Sequence, residues 1–251
     1  MDLHVLGACG SWPGPGEATS GYLVTVPEFS LAVDLGTGTF ARLQQVMSPR
    51  DLGGLVISHA HPDHFVDLFA LFYWRFFHPE PLPPLPLYTP PGLLEAIICY
   101  APTDRAREIR SAFELREVVP AESFHIGPLT VRTHEMHHHP ATIGLRISTG
   151  KATLAYTADT GPTDEIVELA READVFLCDS TWLAADVRAG NHLSGHQAGE
   201  YARAAGVGEL LLTHLWPLVD PDRATADAVS GFGRDVRVAR SGLRLSISAN
   251  D

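Results

Sequence analysis

Residues 58–64 read Ser-His-Ala-His-Pro-Asp-His and place His59, His61, Asp63 and His64 within six consecutive positions. Neutral imidazole and ionised carboxylate are the donors that borderline divalent metals such as zinc prefer. The group follows a short apolar run, Leu55-Val56-Ile57. A packed core would not tolerate so many polar groups without partners. The pattern therefore predicts a metal nest at a strand end, with a histidine-rich surface loop as the competing reading.

The same order, an apolar run and then a potential ligand, recurs along the chain. Residues 129–136 lead to His137-His138-His139, residues 153–157 to Asp159, residues 210–213 to His214 and residues 31–33 to Asp34. Each is weak evidence alone. Strands that finish at one edge of neighbouring sheets bring their ends together, so these residues are expected to converge.

The elements that must position them are legible from periodicity. Strands are expected at 3–6, 21–26, 31–35, 55–58, 85–89, 115–119, 123–126, 129–136, 143–148, 153–157, 175–178, 210–213, 236–239 and 243–247. Helices are expected at 40–47, 65–77, 92–101, 104–113, 164–172, 197–205 and 223–230. Prolines cluster at 79–91, where Pro-Glu-Pro-Leu-Pro-Pro-Leu-Pro (79–86) reads as a stiff surface connection. Strand meanders mixed with strand-helix-strand units give an α/β (α+β) fold, with two sheets packed face to face and helices outside. The aromatic run at 65–77 exceeds what one core face buries, and its surplus is assigned to a substrate mouth or a homodimer contact.

The 251 residues show no Gly/Ser tract, charge run or solenoid repeat, and one domain over 1–251 is expected. Hydrophobic residues make up 45%, ample for a sizeable core. Acidic residues outnumber basic ones 30 to 18, a net charge of −12. Two bound zinc ions would bring that only to about −8. Such a surface disfavours nucleic acid, which needs clustered Lys and Arg, although Arg105, Arg107, Arg110 and Arg116 are candidates for a local patch. Cys9, Cys99 and Cys178 are too far apart for a zinc ribbon or redox pair. The first residues lack the pattern of a signal peptide and no apolar run reaches spanning length, so a soluble cytoplasmic protein without membrane contact is expected.

The motif His-x-His-x-Asp-His, standing here as His59, His61, Asp63 and His64, resembles that of the metallo-β-lactamase-fold hydrolases. Matches to the later single ligands stand in family order at His138, Asp159 and His214. The likeness covers essentially the whole chain and implies a four-layer αββα sandwich of two mixed sheets flanked by helices. Within the superfamily the chain is most similar to the branch of ribonuclease Z and related phosphodiesterases, through Asp34 and the glycine turn 36–38, Gly144-Leu145-Arg146, and His192-Leu193-Ser194.

The resemblance implies two divalent metal ions, zinc with manganese or iron as alternatives. His59, His61 and His138 would hold the first; Asp63, His64 and His214 the second; Asp159 would bridge. His138 is chosen over His137 and His139 because it lies six residues before Gly144, the spacing of related sequences. Asp34 would orient the metal loop without touching metal. Such a site activates water, with Asp63 accepting its proton and His192, oriented by Asp179, serving as general acid. His196 is expected in the first helical turn with Ser194 as cap.

Ribonuclease Z carries a long tRNA-gripping arm between the third histidine and the bridging aspartate, and Gly where this chain has Pro62. Only a short hairpin fits between His138 and Asp159. The expected enzyme is thus a phosphodiesterase or esterase on a small-molecule substrate. The alternatives are tRNA 3′-processing; hydrolysis of a lactone, thioester, aryl sulfate or β-lactam; and a metal-bearing sensor without turnover.

Overall fold

The computed structural model describes residues 1–99, 105–186 and 190–248. Six strands come first: β1 (Asp2–Gly7), β2 (Gly21–Val26), β3 (Phe29–Leu35), β4 (Gly54–Val56), β5 (Leu85–Thr89) and β6 (Phe113–Glu117). Eight follow: β7 (Ser123–Ile126), β8 (Leu129–Met136), β9 (Thr142–Ser148), β10 (Thr153–Tyr156), β11 (Val175–Asp179), β12 (Glu209–Thr213), β13 (Val236–Val238) and β14 (Arg244–Ser246). They form two seven-stranded sheets, ordered β14-β1-β2-β3-β4-β5-β6 and β13-β12-β11-β10-β9-β8-β7. In each sheet an antiparallel meander continues into parallel strands, β3 through β6 in one and β10 through β13 in the other.

The period of two along each strand sorts its side chains between layers. Leu3, Val5, Tyr22, Val24, Leu31 and Val33 face Val131, Leu145, Ile147, Leu154, Tyr156, Val175, Leu177 and Leu211 across the sheet-sheet interface. Alternate residues of the first sheet, Leu23, Ala32, Leu35 and Leu55, pack under helices α1 (Thr39–Val46), α2 (Pro62–Phe65), α3 (Leu68–Phe76), α4 (Leu93–Ile98) and α5 (Ala106–Ala112). Phe176, Cys178, Leu210 and Leu212 of the second pack under α6 (Glu165–Ala170), α7 (Gly195–Ala205) and α8 (Pro221–Phe232). Three apolar interfaces separate four layers, the expected αββα sandwich. Strands covered on both faces explain the nearly continuous apolar runs. Among the described residues, no helix is long and apolar enough to cross a membrane.

Two expectations need correction. The aromatic helix at 65–77 is two helices, α2 and α3. Asp67 N–H leaves the helical ladder to donate to Leu35 O (2.9 Å), and its carboxylate accepts from Phe40 N–H (2.9 Å) at the start of α1. That tie to the first sheet breaks the run. The proline-rich surface connection also stops before Leu85, because Pro86 lies within β5. Its missing N–H is tolerated because β4 pairs only from Leu87 onward (Leu55↔Leu87, Val56↔Tyr88). The helix expected at 92–101 is found as α4; residues 100 and 101, and the first residue of the helix expected at 104–113, lie outside the described residues.

Candidate metal centre

Every residue singled out as a ligand leaves the carboxyl end of a strand or the loop just beyond it, where side chains of open α/β sheets gather. The first sheet delivers Asp34 from β3 and the 58–64 motif from β4. The second delivers His138 from β8, Asp159 from β10, Asp179 from β11 and His214 from β12. Asp34, Ala158 and His214 all have left-handed backbone (φ 56°, 54° and 60°), which turns the chain sharply at three of these exits. Gly36 lets the motif come close: a Cβ there would stand 1.8 Å from Asp63 O.

The facing atoms form two half-sites. In the first, His61 Nδ1 lies 3.2 Å from both His59 Nε2 and His138 Nε2, and Asp159 Oδ2 is 3.5 Å from His59 Nε2 and 3.7 Å from His138 Nε2. In the second, Asp159 Oδ1 is 3.1 Å from His64 Nε2 and 3.3 Å from His214 Nε2, while Asp63 Oδ2 is 3.3 Å from His214 Nε2 and 3.7 Å from His64 Nε2. Asp159 thus directs one carboxylate oxygen into each half.

These spacings fit a cation. Zinc about 2.0–2.1 Å from each donor separates tetrahedral ligands by about 3.3–3.4 Å. Among the described residues, buried His64 Nε2 and Asp159 Oδ1 face each other at 3.1 Å without a well-aligned hydrogen bond, an arrangement that a cation between them would satisfy.

The outer nitrogens fix the tautomers. His59 Nδ1 lies 3.0 Å from Ser58 Oγ, which donates to Asp34 Oδ2 (2.9 Å). His64 Nδ1 donates to Asp34 Oδ2 (2.8 Å), His138 Nδ1 to Asn191 O (2.9 Å) and His214 Nδ1 to Thr181 Oγ1 (2.9 Å). Four Nε2 atoms are left to face the site as acceptors. Asp34, fully buried, also accepts from Ser58 N–H (2.7 Å) and Tyr156 O–H (2.8 Å). It orients the metal loop through hydrogen bonds, as expected.

The halves differ electrostatically. Burial, with neighbouring imidazoles, pushes His61 and His138 down to about 4, and burial also lowers His59. Burial alone would lower His64 and His214 too, but carboxylates led by Asp159 outweigh it. His64 is raised well above the usual imidazole range and His214 to about 9. Asp63 and Asp159 are held well below the carboxylate range, burial being overcome by these same histidines. The first half is a set of neutral donors; the second holds protons where a cation would sit.

His192 borders the second half. Its ring stacks on that of His214 with centroids 5.2 Å apart, and its Nδ1 donates to Asp179 Oδ2 (2.8 Å). Asp179 also accepts from Thr160 N–H, Thr181 N–H and Thr181 Oγ1. His137 and His139 are exposed and join neither half, whereas His138 does. His196 sits in the first turn of α7, capped by Ser194 in a reciprocal box with Gln197. Of the suggested basic patch, Arg105 pairs with Glu108, Arg110 with Glu95 and Arg116 with Glu122, so these charges are largely spent locally. Sequence reasoning missed Thr181, Ser11, Tyr156 and the Asn191 carbonyl. Asn191 directly precedes His192 and Thr181 lies two positions after Asp179, so those two stood near residues already singled out.

The chain belongs to the metallo-β-lactamase superfamily: the beta-lactamase superfamily domain matches residues 29–215. A Mycobacterium leprae protein, ML1173, is 37% identical over 98% of this chain and 89% of its own length. The "Probable metallo-hydrolase YhfI" of Bacillus subtilis is 30% identical over 97% of this chain and 98% of its own. The YhfI crystal structure superposes with a TM-score of 0.89, covering 98% of this chain and 99% of that one. A ribonuclease Z of Mycobacterium bovis is 28% identical over 98% of both.

Proposed function

We propose that this chain is a dinuclear metal-dependent hydrolase that cleaves phosphodiesters or related esters of small molecules. The observation that carries this reading is Asp159, whose two oxygens each complete a separate cluster of donors. In this reading His59, His61 and His138 would hold one ion and Asp63, His64 and His214 the other, with Asp159 offering an oxygen to each. The all-nitrogen and oxygen donor set suits zinc and accepts manganese or iron. When bound, such ions make water nucleophilic near neutral pH and offset charge at a phosphoryl or acyl oxygen.

The chain's own residues supply the rest. Ser11 N–H donates to Asp63 Oδ2 (2.7 Å) and fixes that carboxylate to accept a proton from the attacking water. Because His192 Nδ1–H is committed to Asp179, Nε2 is the nitrogen that delivers a proton to the leaving oxygen. Asp179 holds the ring in the orientation that turns Nε2 toward the site.

A tRNA-processing role is disfavoured by the segment between His138 and Asp159, which is only the β9–β10 hairpin. It is disfavoured also by the net charge of −12. Zinc-loaded protein assayed against phosphodiesters, lactones, thioesters, aryl sulfates and β-lactams is expected to turn over phosphodiesters fastest. Preference for another bond would move the assignment to that class. Metal uptake without turnover of any of them would leave a binding or sensor protein.

A further inference from the structure

Three of the chain's four tryptophans follow His214 or a residue hydrogen-bonded to the second half-site: Trp12 comes after Ser11, Trp182 after Thr181 and Trp216 two positions after His214. The fold gathers them into one row. The Trp182 ring stands edge-on to His192, 6.2 Å between centroids, and edge-on to Trp216 at 4.4 Å; Trp216 in turn lies 5.4 Å from Trp12. Edge-to-face contacts of this kind fix ring orientation. Trp182 is 7% exposed, but Trp12 at the outer end is 39% exposed. It is tied to the site by its own neighbour, whose N–H binds Asp63. A large aromatic left open beside a polar centre usually serves binding.

The surrounding sequence says what kind of group it meets. The segments that carry the row, residues 10–16, 181–186 and 214–220, contain no lysine or arginine. The segments themselves present an aromatic face and no cation, while Arg240 lines the same pocket as Trp216 and Arg42 donates to Gly16 O from elsewhere in the chain. Stacking is tolerant of ring identity because every such ring presents a π-face, and a tryptophan loses few rotamers on binding.

We infer that Trp12, backed by Trp216 and Trp182, is a stacking platform for an aromatic group on the substrate, a nucleobase or an aryl ester. The inference deepens the hydrolase reading above and rests on it for the reaction. The platform determines specificity; it does not take part in bond cleavage.

The test compares zinc-loaded parent, Trp12→Ala and Trp12→Phe. Adenosine 5′-phosphate and phenyl phosphate are titrated calorimetrically, with ribose 5-phosphate and methyl phosphate as matched controls that lack the aromatic ring. Trp12→Ala is expected to weaken the ringed ligands by roughly 5- to 100-fold, the range that follows from base-aromatic stacking. The ringless ones should be unchanged, and Trp12→Phe should retain most of the affinity. Whichever ringed ligand loses more identifies the ring the platform serves. Equal weakening of ringed and ringless ligands, or none, overturns the platform. In parallel, turnover of a nucleoside cyclic phosphate is compared with that of glycerol cyclic phosphate. Trp12-dependent ring binding without hydrolysis of either would refute the proposed reaction and keep the platform. Hydrolysis of both with the same response to Trp12→Ala would keep the reaction and refute the platform.

Discussion

Thr181 Oγ1 lies 2.9 Å from His214 Nδ1 and donates its own proton to Asp179 Oδ1, 2.8 Å away. One hydroxyl thereby links a ligand of the second half-site to the carboxylate that orients His192. Its removal should release His214 from its tautomer. Thr181→Val is expected to lower second-ion affinity by about 10- to 100-fold, the usual cost of losing an outer partner of a metal-binding histidine. Thr181→Ser should restore it. Equal zinc content in the two variants under limiting metal would sink this relay.

The opposite electrostatics of the halves predict different proton bookkeeping on metal uptake. At neutral pH His59, His61 and His138 are unprotonated donors, since burial lowers His59 and the last two sit at about 4. An ion entering the first half displaces no proton from them. His64 is raised and His214 sits at about 9, so both carry protons at neutral pH that an ion in the second half must expel. Around neutral pH second-ion affinity should therefore rise with pH, with about two protons released, while first-ion affinity stays flat. Calorimetry in buffers of differing ionisation heat measures this directly; identical release at both steps would contradict it.

Among the three consecutive histidines, His138→Ala is expected to lose the first ion. His137→Ala and His139→Ala, whose side chains are exposed, should keep it. Elemental analysis with the order reversed would show that the wrong member had been chosen.

His192→Ala should keep fold and metals yet lose about two to four orders of magnitude in turnover, the range for acid-base catalysis. The loss should shrink with an acidic leaving group such as nitrophenolate, which departs without a proton. If leaving groups of very different basicity suffer alike, His192 positions substrate instead of protonating it.

Gly36→Ala would drive a methyl into the Asp63 carbonyl oxygen, 1.8 Å from the ideal Cβ. Displacement of α2 should then reduce metal content together with thermal stability. Unchanged values of both would mean that the motif tolerates movement.

The gathering of the candidate ligands was legible because each follows a strand whose period of two is plain, and because four of them stand within six residues. The layers were legible for the same reason: Phe176 and Leu177 point to opposite interfaces as alternation requires. What escaped was set by partners remote in sequence. Tyr156 binds Asp34 across 122 residues, and nothing in its own neighbourhood marks it. The break between α2 and α3 depends on Leu35 and Phe40, not on the helix's composition. Pro86 is accommodated by the shortness of β4, a property of the neighbouring strand.

Each half-site draws donors from both sheets, His59 and His61 against His138 in one and Asp63 and His64 against His214 in the other. An ion in either half would rivet the sandwich together at one end, adding to the apolar contact and to hydrogen bonds such as Tyr156 to Asp34 and Tyr22 to Thr213 that already join the sheets. Chelation would then act mechanically as well as chemically, unfastening the rim while the far end stays clasped. Because an ion that binds only the folded chain stabilises it in proportion to the logarithm of its concentration, resistance to heat would track zinc supply.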